Sequence, residues 1–214
     1  MVKWCTILAG IVIIGIGSWF IFRGAPVPLV NAPPAGSTIV VFGDSLVAGV
    51  GGDEPGGFVT KLEERLGLPI INAGQAGDTT EDALDRLPSV LAYDPDIVLI
   101  LFGGNDALRR TDPTVTFANL RTIITTFQEN GAVVYVLGIR GGFLARQYKR
   151  EFSAIASEMG VLYQPDVLAE TFGRPALMSD TVHPNEAGYA LIADQLEPKL
   201  RQLLDTCVIC SSLR

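Results

Sequence analysis

Three polar side chains of this sequence have the types and spacing of a nucleophilic serine site. His183 is the only histidine in the chain, and it directly precedes Pro184, before which a helix cannot begin. Asp180 lies three residues earlier and can hold the Nδ1–H of the imidazole, so that Nε2 faces outward. Ser45 follows the first predicted strand and supplies a hydroxyl, which needs a base to react at neutral pH. These residues predict covalent catalysis by Ser45, with His183 as base and Asp180 as its orienting partner.

Attack by a serine on a carbonyl carbon produces an oxyanion, and the same parts of the sequence offer donors for it. The candidates are the backbone N–H of Ser45, the N–H of Gly74 and the side-chain amide of Asn105. Each donor aimed at the developing charge is worth about 3–4 kcal/mol. A lone histidine, or a glycine after a strand, is more often structural, so the joint occurrence of these residues carries the hypothesis.

The elements that must position these residues follow from hydrophobic patterning. Apolar runs rich in Val and Ile predict strands buried on both faces. These runs are residues 38–42, 69–72, 97–102 and 132–137. Amphipathic stretches between them predict helices, the last of them over about residues 185–204. Strands alternating with helices imply right-handed crossovers and a parallel sheet covered on both faces, so the predicted fold class is α/β.

Three of the four predicted strands run directly into small and polar residues. These segments are residues 43–46 (GDSL), 72–78 (NAGQAGD) and 103–106 (GGND). In an open parallel sheet the ligand lies beyond the carboxyl ends of the strands, so the segments are expected to meet in one crevice. Asp44 is expected to hold the nucleophile loop through hydrogen bonds to nearby N–H groups. Glycines such as Gly51 and Gly52 predict an open, adaptable crevice.

Residues 4–22 form an uncharged apolar segment between Lys3 and Arg23. As a helix they would cover about 28 Å, close to the roughly 30 Å hydrocarbon core of a bilayer. We therefore predict a membrane anchor over residues 1–23, with a cleaved signal peptide and a buried core helix as the alternatives. The catalytic domain is expected outside the cytoplasm, in the periplasm, or secreted if the segment is removed. Residues 24–36, rich in proline, predict an extended tether.

The remaining chain divides into a catalytic domain over residues 37–206 and a tail over 207–214. The chain has 16 basic and 23 acidic residues, and two of the basic ones flank the apolar segment. An acidic domain argues against nucleic acid as a partner. Cys207 and Cys210 form a C-x-x-C that lacks a second pair and a thioredoxin-type context. Incidental cysteines or a local disulfide are therefore favoured over a redox role.

The motifs resemble those of a known enzyme family. Gly43 to Leu46 read as the GDSL block, and Ser45, Gly74, Asn105 and His183 spell the quartet of the SGNH (GDSL-type) hydrolases. Four segments are most similar to the periplasmic branch of multifunctional acyl-CoA thioesterases, arylesterases and lysophospholipases. They read AGQAGDTTEDAL, LFGGNDALR, IRGGFLARQYKREFSAI and DTVHPNEAGY. The resemblance covers roughly residues 38–204.

This resemblance implies a flavodoxin-like, three-layer α/β/α sandwich around a central parallel sheet, here preceded by an N-terminal apolar helix. It implies a serine esterase that acts on acyl esters, lipids or thioesters as a monomer, without a metal or cofactor. The residue roles it implies are those given above: Ser45 as nucleophile, Asp180 and His183 completing the triad, and Gly74 and Asn105 as oxyanion donors. Members of that branch carry a removable signal peptide, and the N-terminus here departs from that pattern.

Several alternatives remain open from the sequence. A carbohydrate O-deacetylase of the same family would use the same residues with a shallower, more polar pocket, and a membrane-anchored binding module would keep the fold without the chemistry. A nucleotide-binding domain would want a G-x-x-x-x-G-K-[ST] or G-x-G-x-x-G pattern, which is missing after the first strand. Arg109, Arg110 and the arginines of residues 140–150 form either a solvated face or a recognition site for an anionic headgroup.

Overall fold

The computed structural model describes residues 27–53, 55–139 and 145–207. Five strands lie in these residues: β1 Ile39–Gly43, β2 Ile70–Gly74, β3 Ile97–Leu101, β4 Val133–Leu137 and β5 Leu162–Gln164. The α-helices are α1 Ser45–Ala48, α2 Gly57–Leu66, α3 Thr80–Leu91, α4 Gly104–Leu108, α5 Pro113–Glu129, α6 Ala145–Glu158 and α7 Glu186–Thr206. A short 3₁₀ helix spans Pro175–Leu177.

The strands form one parallel sheet in the order β2-β1-β3-β4-β5. Every residue of β1, β3 and β4 is buried, which explains why these strands are continuous apolar runs: side chains on both faces meet helices. The predicted parallel α/β sheet is confirmed. The sequence analysis missed β5, because its three residues are only half-buried at the sheet edge and lack the Val and Ile run of a central strand.

The helices begin where their capping residues require. Thr79 and Asp82 form a reciprocal capping box at the start of α3, and the side chain of Asp112 caps α5 ahead of a proline in its first turn. The side chain of Asn185 caps α7, which then packs along α2. The last predicted helix, over about residues 185–204, is confirmed as α7. The buried face of α5 begins at Thr116, and Val115 just before it is 49% exposed.

The predicted N-terminal apolar helix and anchor, residues 1–23, lie outside the described residues. None of the described helices is both long and apolar enough to cross a bilayer. Part of the predicted tether is bound to the domain, because the N–H of Val30 donates to the Gly160 carbonyl at 2.9 Å. Asn31 also donates to the carbonyls of Gln128 and Ala132. Cys207 is disulfide-bonded, and the other two cysteines lie outside the described residues.

Candidate active site

The structure brings the three predicted catalytic side chains together in one hydrogen-bonded chain. His183 Nε2 lies 2.9 Å from Ser45 Oγ, although the two residues are 138 positions apart in sequence. On the other side of the ring, His183 Nδ1 lies 2.7 Å from Asp180 Oδ2. Both distances are within hydrogen-bond range, so the arrangement has the parts of a nucleophile, a base and an orienting acid.

Ser45 is placed by the turn between β1 and α1. The carboxylate of Asp44 accepts the N–H of Leu46 at 3.0 Å and so caps the short α1 helix. The predicted role of Asp44 in holding the nucleophile loop is therefore confirmed. Asp44 is 3% exposed, and burial raises the pKa of its carboxyl to about 7.

Asp180 is held by its own turn as well as by the imidazole. Its Oδ1 accepts the N–H groups of Val182 and His183, each at 2.8 Å, which leaves Oδ2 for the ring. The hydrogen bond from His183, followed by these two backbone bonds, lowers the pKa of Asp180 to about 2. The side chain is half exposed, so solvent screens its charge and its main effect on His183 is orientation.

The loop that carries His183 packs closely against Gly51. The His183 carbonyl accepts the N–H of Ser179 at 2.9 Å, which closes the turn. A Cβ built on Gly51 would lie 2.8 Å from the Pro184 oxygen and 3.0 Å from the His183 Cβ. Gly51 therefore permits the close packing of the nucleophile loop against the histidine loop. The expectation of an adaptable crevice stays a prediction.

Two of the three predicted oxyanion donors, the Ser45 N–H and the Asn105 amide, belong to residues that lie beside the cavity. Ser45 and Asn105 both line the cavity described below. Within the described residues the backbone N–H of Ser45 donates to no acceptor. One N–H of the Asn105 amide donates to the Asp78 carbonyl at 2.9 Å, and the other makes a long hydrogen bond to Asp44 Oδ2, at 3.4 Å, which it would give up to bind an oxyanion. These contacts fix the orientation of the Asn105 amide.

Gly74 lies at the end of β2, but its N–H is already engaged. It donates to Asn72 Oδ1 at 2.9 Å, and Gly74 is not among the residues that line the cavity. A Cβ on Gly74 would lie 2.3 Å from the Ala48 nitrogen, so its small size serves the packing of β2 against α1. Three residues later, the N–H of Gly77 donates to no acceptor in the described part of the chain. Sequence reasoning missed Gly77, because both glycines lie in the same segment and nothing in the pattern separates them.

Arg86 lies next to the site and contacts the end of β1, the end of β2 and Asp78 in the loop after β2. Its guanidinium donates to the carbonyl of Gly43 at the end of β1 and to that of Ala73 near the end of β2. Its Nε lies 2.6 Å from Asp78 Oδ2, and the guanidinium lies over the ring of Phe42, 4.9 Å from its centroid. Arg86 therefore connects the ends of β1 and β2 to Asp78, whose carbonyl accepts a hydrogen bond from the Asn105 amide. The sequence analysis did not identify it.

The serine and histidine open into a cavity of about 640 Å³. Its polar end holds Asp44, Ser45, Asn105 and His183. The rest of the wall is predominantly apolar: it is formed by Leu46, Ala107, Leu108, Ile139, Ala145, Leu168, Phe172 and Val182, with Gly104 and the side of Arg110. Two of these apolar side chains, Leu108 and Phe172, are 66% and 47% exposed. Such exposure of large apolar groups beside a cleft is typical of a binding surface for an apolar ligand.

In residues 27–53, 55–139 and 145–207 no group of three or more His, Cys, Asp or Glu side chains is placed to hold a metal ion.

Comparisons with known proteins agree with this geometry. Residues 41–191 match the model of the GDSL-like lipase/acylhydrolase family. The esterase TesA of Pseudomonas aeruginosa is 32% identical over 188 residues, which cover 82% of this chain and 94% of the relative. The thioesterase 1/protease 1/lysophospholipase L1 of Escherichia coli is 32% identical over 180 residues, covering 80% and 86% of the two chains.

A solved structure shows the same fold. The esterase EstA from Pseudoalteromonas sp., in a crystal structure inhibited by monoethylphosphonate, superposes with a TM-score of 0.71 at 27% identity. The match covers 79% of this chain and all of that chain. Together with the family match over most of the described domain, these findings show that the chain belongs to the GDSL-like lipase/acylhydrolase family.

Proposed function

We propose that this protein is a serine ester hydrolase that forms an acyl-enzyme on Ser45. The observation that carries the proposal is the continuous contact from Asp180 through His183 to Ser45, with distances of 2.7 Å and 2.9 Å. Relatives at 32% identity are named as an esterase and as a thioesterase and lysophospholipase, which supports carboxylic esters or thioesters as substrates. A membrane-anchored binding module would not need a base in contact with a serine.

The geometry supports a two-step reaction. Ser45 Oγ attacks the carbonyl carbon of the ester while His183 Nε2 takes its proton, and a tetrahedral oxyanion forms. The C–O or C–S bond to the leaving group then breaks, and His183 returns the proton to the leaving group. Water, deprotonated by the same nitrogen, attacks the acyl-enzyme and releases the carboxylic acid and free Ser45. The Asp180 carboxylate keeps the Nδ1–H tautomer, which leaves Nε2 free to act as base.

The oxyanion is held by the Ser45 N–H, the Asn105 amide and an N–H from the segment after β2. Gly74, predicted from the sequence, would have to give up its bond to Asn72 to serve. Gly77 needs no such change, because its N–H has no acceptor in the described residues. Its loop also lies beside Asn105, which donates to the carbonyl of the next residue along the loop. We therefore favour Gly77 as the third donor.

The apolar wall of the cavity supports acyl chains longer than acetyl. A carbohydrate O-deacetylase needs a shallow, polar pocket, whereas Leu108, Leu168 and Phe172 line this one. Burial of apolar surface stabilises a bound chain by about 25 cal/mol per Å², so each additional methylene in contact with this wall adds to binding. The preference for a long acyl group over acetyl is thus an expected property of the enzyme.

The test combines covalent labelling with a chain-length series. A phosphonate ester with a p-nitrophenyl leaving group is expected to add one phosphonyl group to the wild-type protein, at Ser45 Oγ, with release of p-nitrophenolate. Mass spectrometry of a tryptic digest locates the adduct, and Ser45→Ala is the control. Acetyl, butyryl and octanoyl p-nitrophenyl esters then report the acyl preference. An unlabelled wild-type protein, or a Ser45→Ala variant that still hydrolyses these esters, would overturn the proposal.

The location of the enzyme follows from the N-terminal segment. We propose that residues 1–23 anchor the catalytic domain to a membrane and that the domain, a monomer, works outside the cytoplasm. The uncharged apolar run of residues 4–22 supports this proposal. Fractionation of cells that express the full chain, followed by N-terminal sequencing of the product, separates an anchor from a cleaved signal peptide.

A further inference from the structure

Two neighbouring arginines follow the catalytic Asn105 loop, and the structure gives them different surroundings. Arg109 donates to the Gly77 carbonyl at 2.8 Å and lies 3.7 Å from Asp82, so its charge is engaged in holding the loop after β2. Arg110 lines the cavity. Among the described residues no carboxylate pairs with the guanidinium of Arg110, and its side chain donates to no acceptor there.

The backbone at Arg110 is in the left-handed region, with φ of 60°. Its N–H donates to the Ala107 carbonyl at 3.1 Å, and the N–H of Thr111 donates to the Asp106 carbonyl at 2.9 Å. These two bonds form the Schellman motif that ends α4, and Arg110 occupies the position where glycine is normally found. An L-residue there costs roughly 1–2 kcal/mol. The chain thus carries a long cationic side chain at a site where its own backbone would be more stable with glycine.

The other described residues that line the cavity offer the Arg110 guanidinium no ionised partner close by. The wall around Arg110 is mostly apolar, and the carboxyl group at the polar end, Asp44, is buried with its pKa raised to about 7. Within the described part of the chain, a substrate that enters the cavity with an apolar chain therefore meets one unpaired guanidinium, that of Arg110. A guanidinium presents a planar fork of donors that matches the oxygens of phosphate and carboxylate groups.

We propose that Arg110 is a specificity-determining residue that binds a phosphate group on the ester or thioester substrate. This inference rests on the proposed function and names a property of the same site. The phosphate belongs either to a lysophospholipid headgroup or to the leaving group of an acyl-CoA thioester; the recognition chemistry is the same for both. Because the side chain is exposed, its effect on the rate falls as salt rises.

The variant that tests this proposal is Arg110→Gly. It removes the guanidinium and also suits the left-handed backbone, so the thermal midpoint is expected to stay the same or rise. Arg150→Gln is the matched control, because it removes one positive charge from an exposed position that does not line the cavity. Arg109 is left intact, since its loss would also disturb the loop after β2.

The assay compares phosphate-bearing substrates with uncharged counterparts that present the same acyl group and the same type of scissile bond. The first pair is 1-octanoylglycerol-3-phosphate and 1-octanoylglycerol; the second is octanoyl-CoA and the uncharged octanoyl thioester of N-acetylcysteamine. Arg110→Gly is expected to lower the ratio of kcat/KM for the phosphate-bearing member to that for its neutral counterpart about 10-fold in at least one pair. The pair that responds identifies the source of the phosphate. Arg150→Gln should leave every ratio unchanged.

Three other results would contradict the proposal. An unchanged ratio of charged to neutral substrate in Arg110→Gly, in both pairs, overturns the assignment while the proposed esterase function stands. An equal change in Arg150→Gln shows a general effect of net charge and also overturns it. If the wild-type protein hydrolyses none of the four substrates, the proposed function itself fails, and the role of Arg110 fails with it.

Discussion

Replacing Asp180 by asparagine is expected to harm catalysis more than removing the side chain altogether. Oδ1 of Asp180 accepts two backbone N–H groups at 2.8 Å, and Oδ2 lies 2.7 Å from His183 Nδ1. An asparagine in this place keeps its oxygen toward the two N–H groups, because the reversed amide would point its NH₂ at two donors. The NH₂ group therefore faces Nδ1, which must act as acceptor. The ring proton then resides on Nε2, and the imidazole faces Ser45 as a donor instead of a base.

The size of this effect follows from the same hydrogen bonds. To recover the working tautomer, the introduced amide would have to reverse and give up both bonds to the backbone, at about 1 kcal/mol net for each. A cost of about 2 kcal/mol corresponds to roughly 30-fold in rate. Asp180→Ala leaves the imidazole less well oriented but imposes no tautomer on it. We therefore expect Asp180→Asn to fall below Asp180→Ala by roughly 30-fold in kcat/KM.

The assay is hydrolysis of p-nitrophenyl octanoate by the two variants and the wild type. Asp112→Asn is the control, since it makes the same chemical change at an exposed helix cap outside the site. Because His183 is the only histidine, its ring nitrogens can be observed without ambiguity in a sample labelled with ¹⁵N-histidine. An Asp180→Asn enzyme that equals or exceeds Asp180→Ala, or that carries its ring proton on Nδ1, would refute the reasoning.

Three further perturbations test the support of the site. Arg86→Met leaves the buried Asp78 carboxylate without its cation and should lower the free energy of unfolding by about 3 kcal/mol; adding Asp78→Asn should recover part of that loss in urea titrations. Gly51→Ala places a Cβ 3.0 Å from that of His183, the proposed base, and should lower kcat by roughly 100-fold. Gly67→Ala, with similar backbone strain and open space, should keep its activity. Asp44→Asn removes a carboxyl whose pKa rises to about 7 on folding; wild-type stability should therefore fall between pH 4 and pH 7 relative to this variant, and a constant difference would contradict the cause given for the shift.

The parts of the fold that depend on buried apolar runs were predictable from the sequence. β1, β3 and β4 are buried at every position, so their composition alone marks them as central strands of a parallel sheet. β5 was missed because an edge strand of three half-buried residues carries no such mark. The N-terminal apolar segment is equally clear in composition, and its prediction as an anchor stays a prediction.

The parts of the site that were predictable from the sequence are those marked by a rare residue type or by a short, characteristic spacing between two residues. A single histidine with an aspartate three residues before it limits the choice of base and orienting acid, and the structure places both where the sequence suggested. Whether Gly74 or Gly77 is the better oxyanion donor depends on which backbone N–H is already hydrogen-bonded. The sequence carries no information about those hydrogen bonds. Arg86 and Gly51 act through contacts between segments far apart in sequence, so no local pattern identifies them.

The long separation between Ser45 and His183 has a consequence for when reactivity arises. Ser45 lies just after the first strand, whereas His183 precedes α7, the helix that packs along α2. A nascent polypeptide on the ribosome therefore carries its serine well before the imidazole has been synthesised. Such a chain cannot cleave an ester until α7 has packed against α2. Ester cleavage by this chain thus reports completed assembly, and a molecule whose α7 has detached would lose its reactivity.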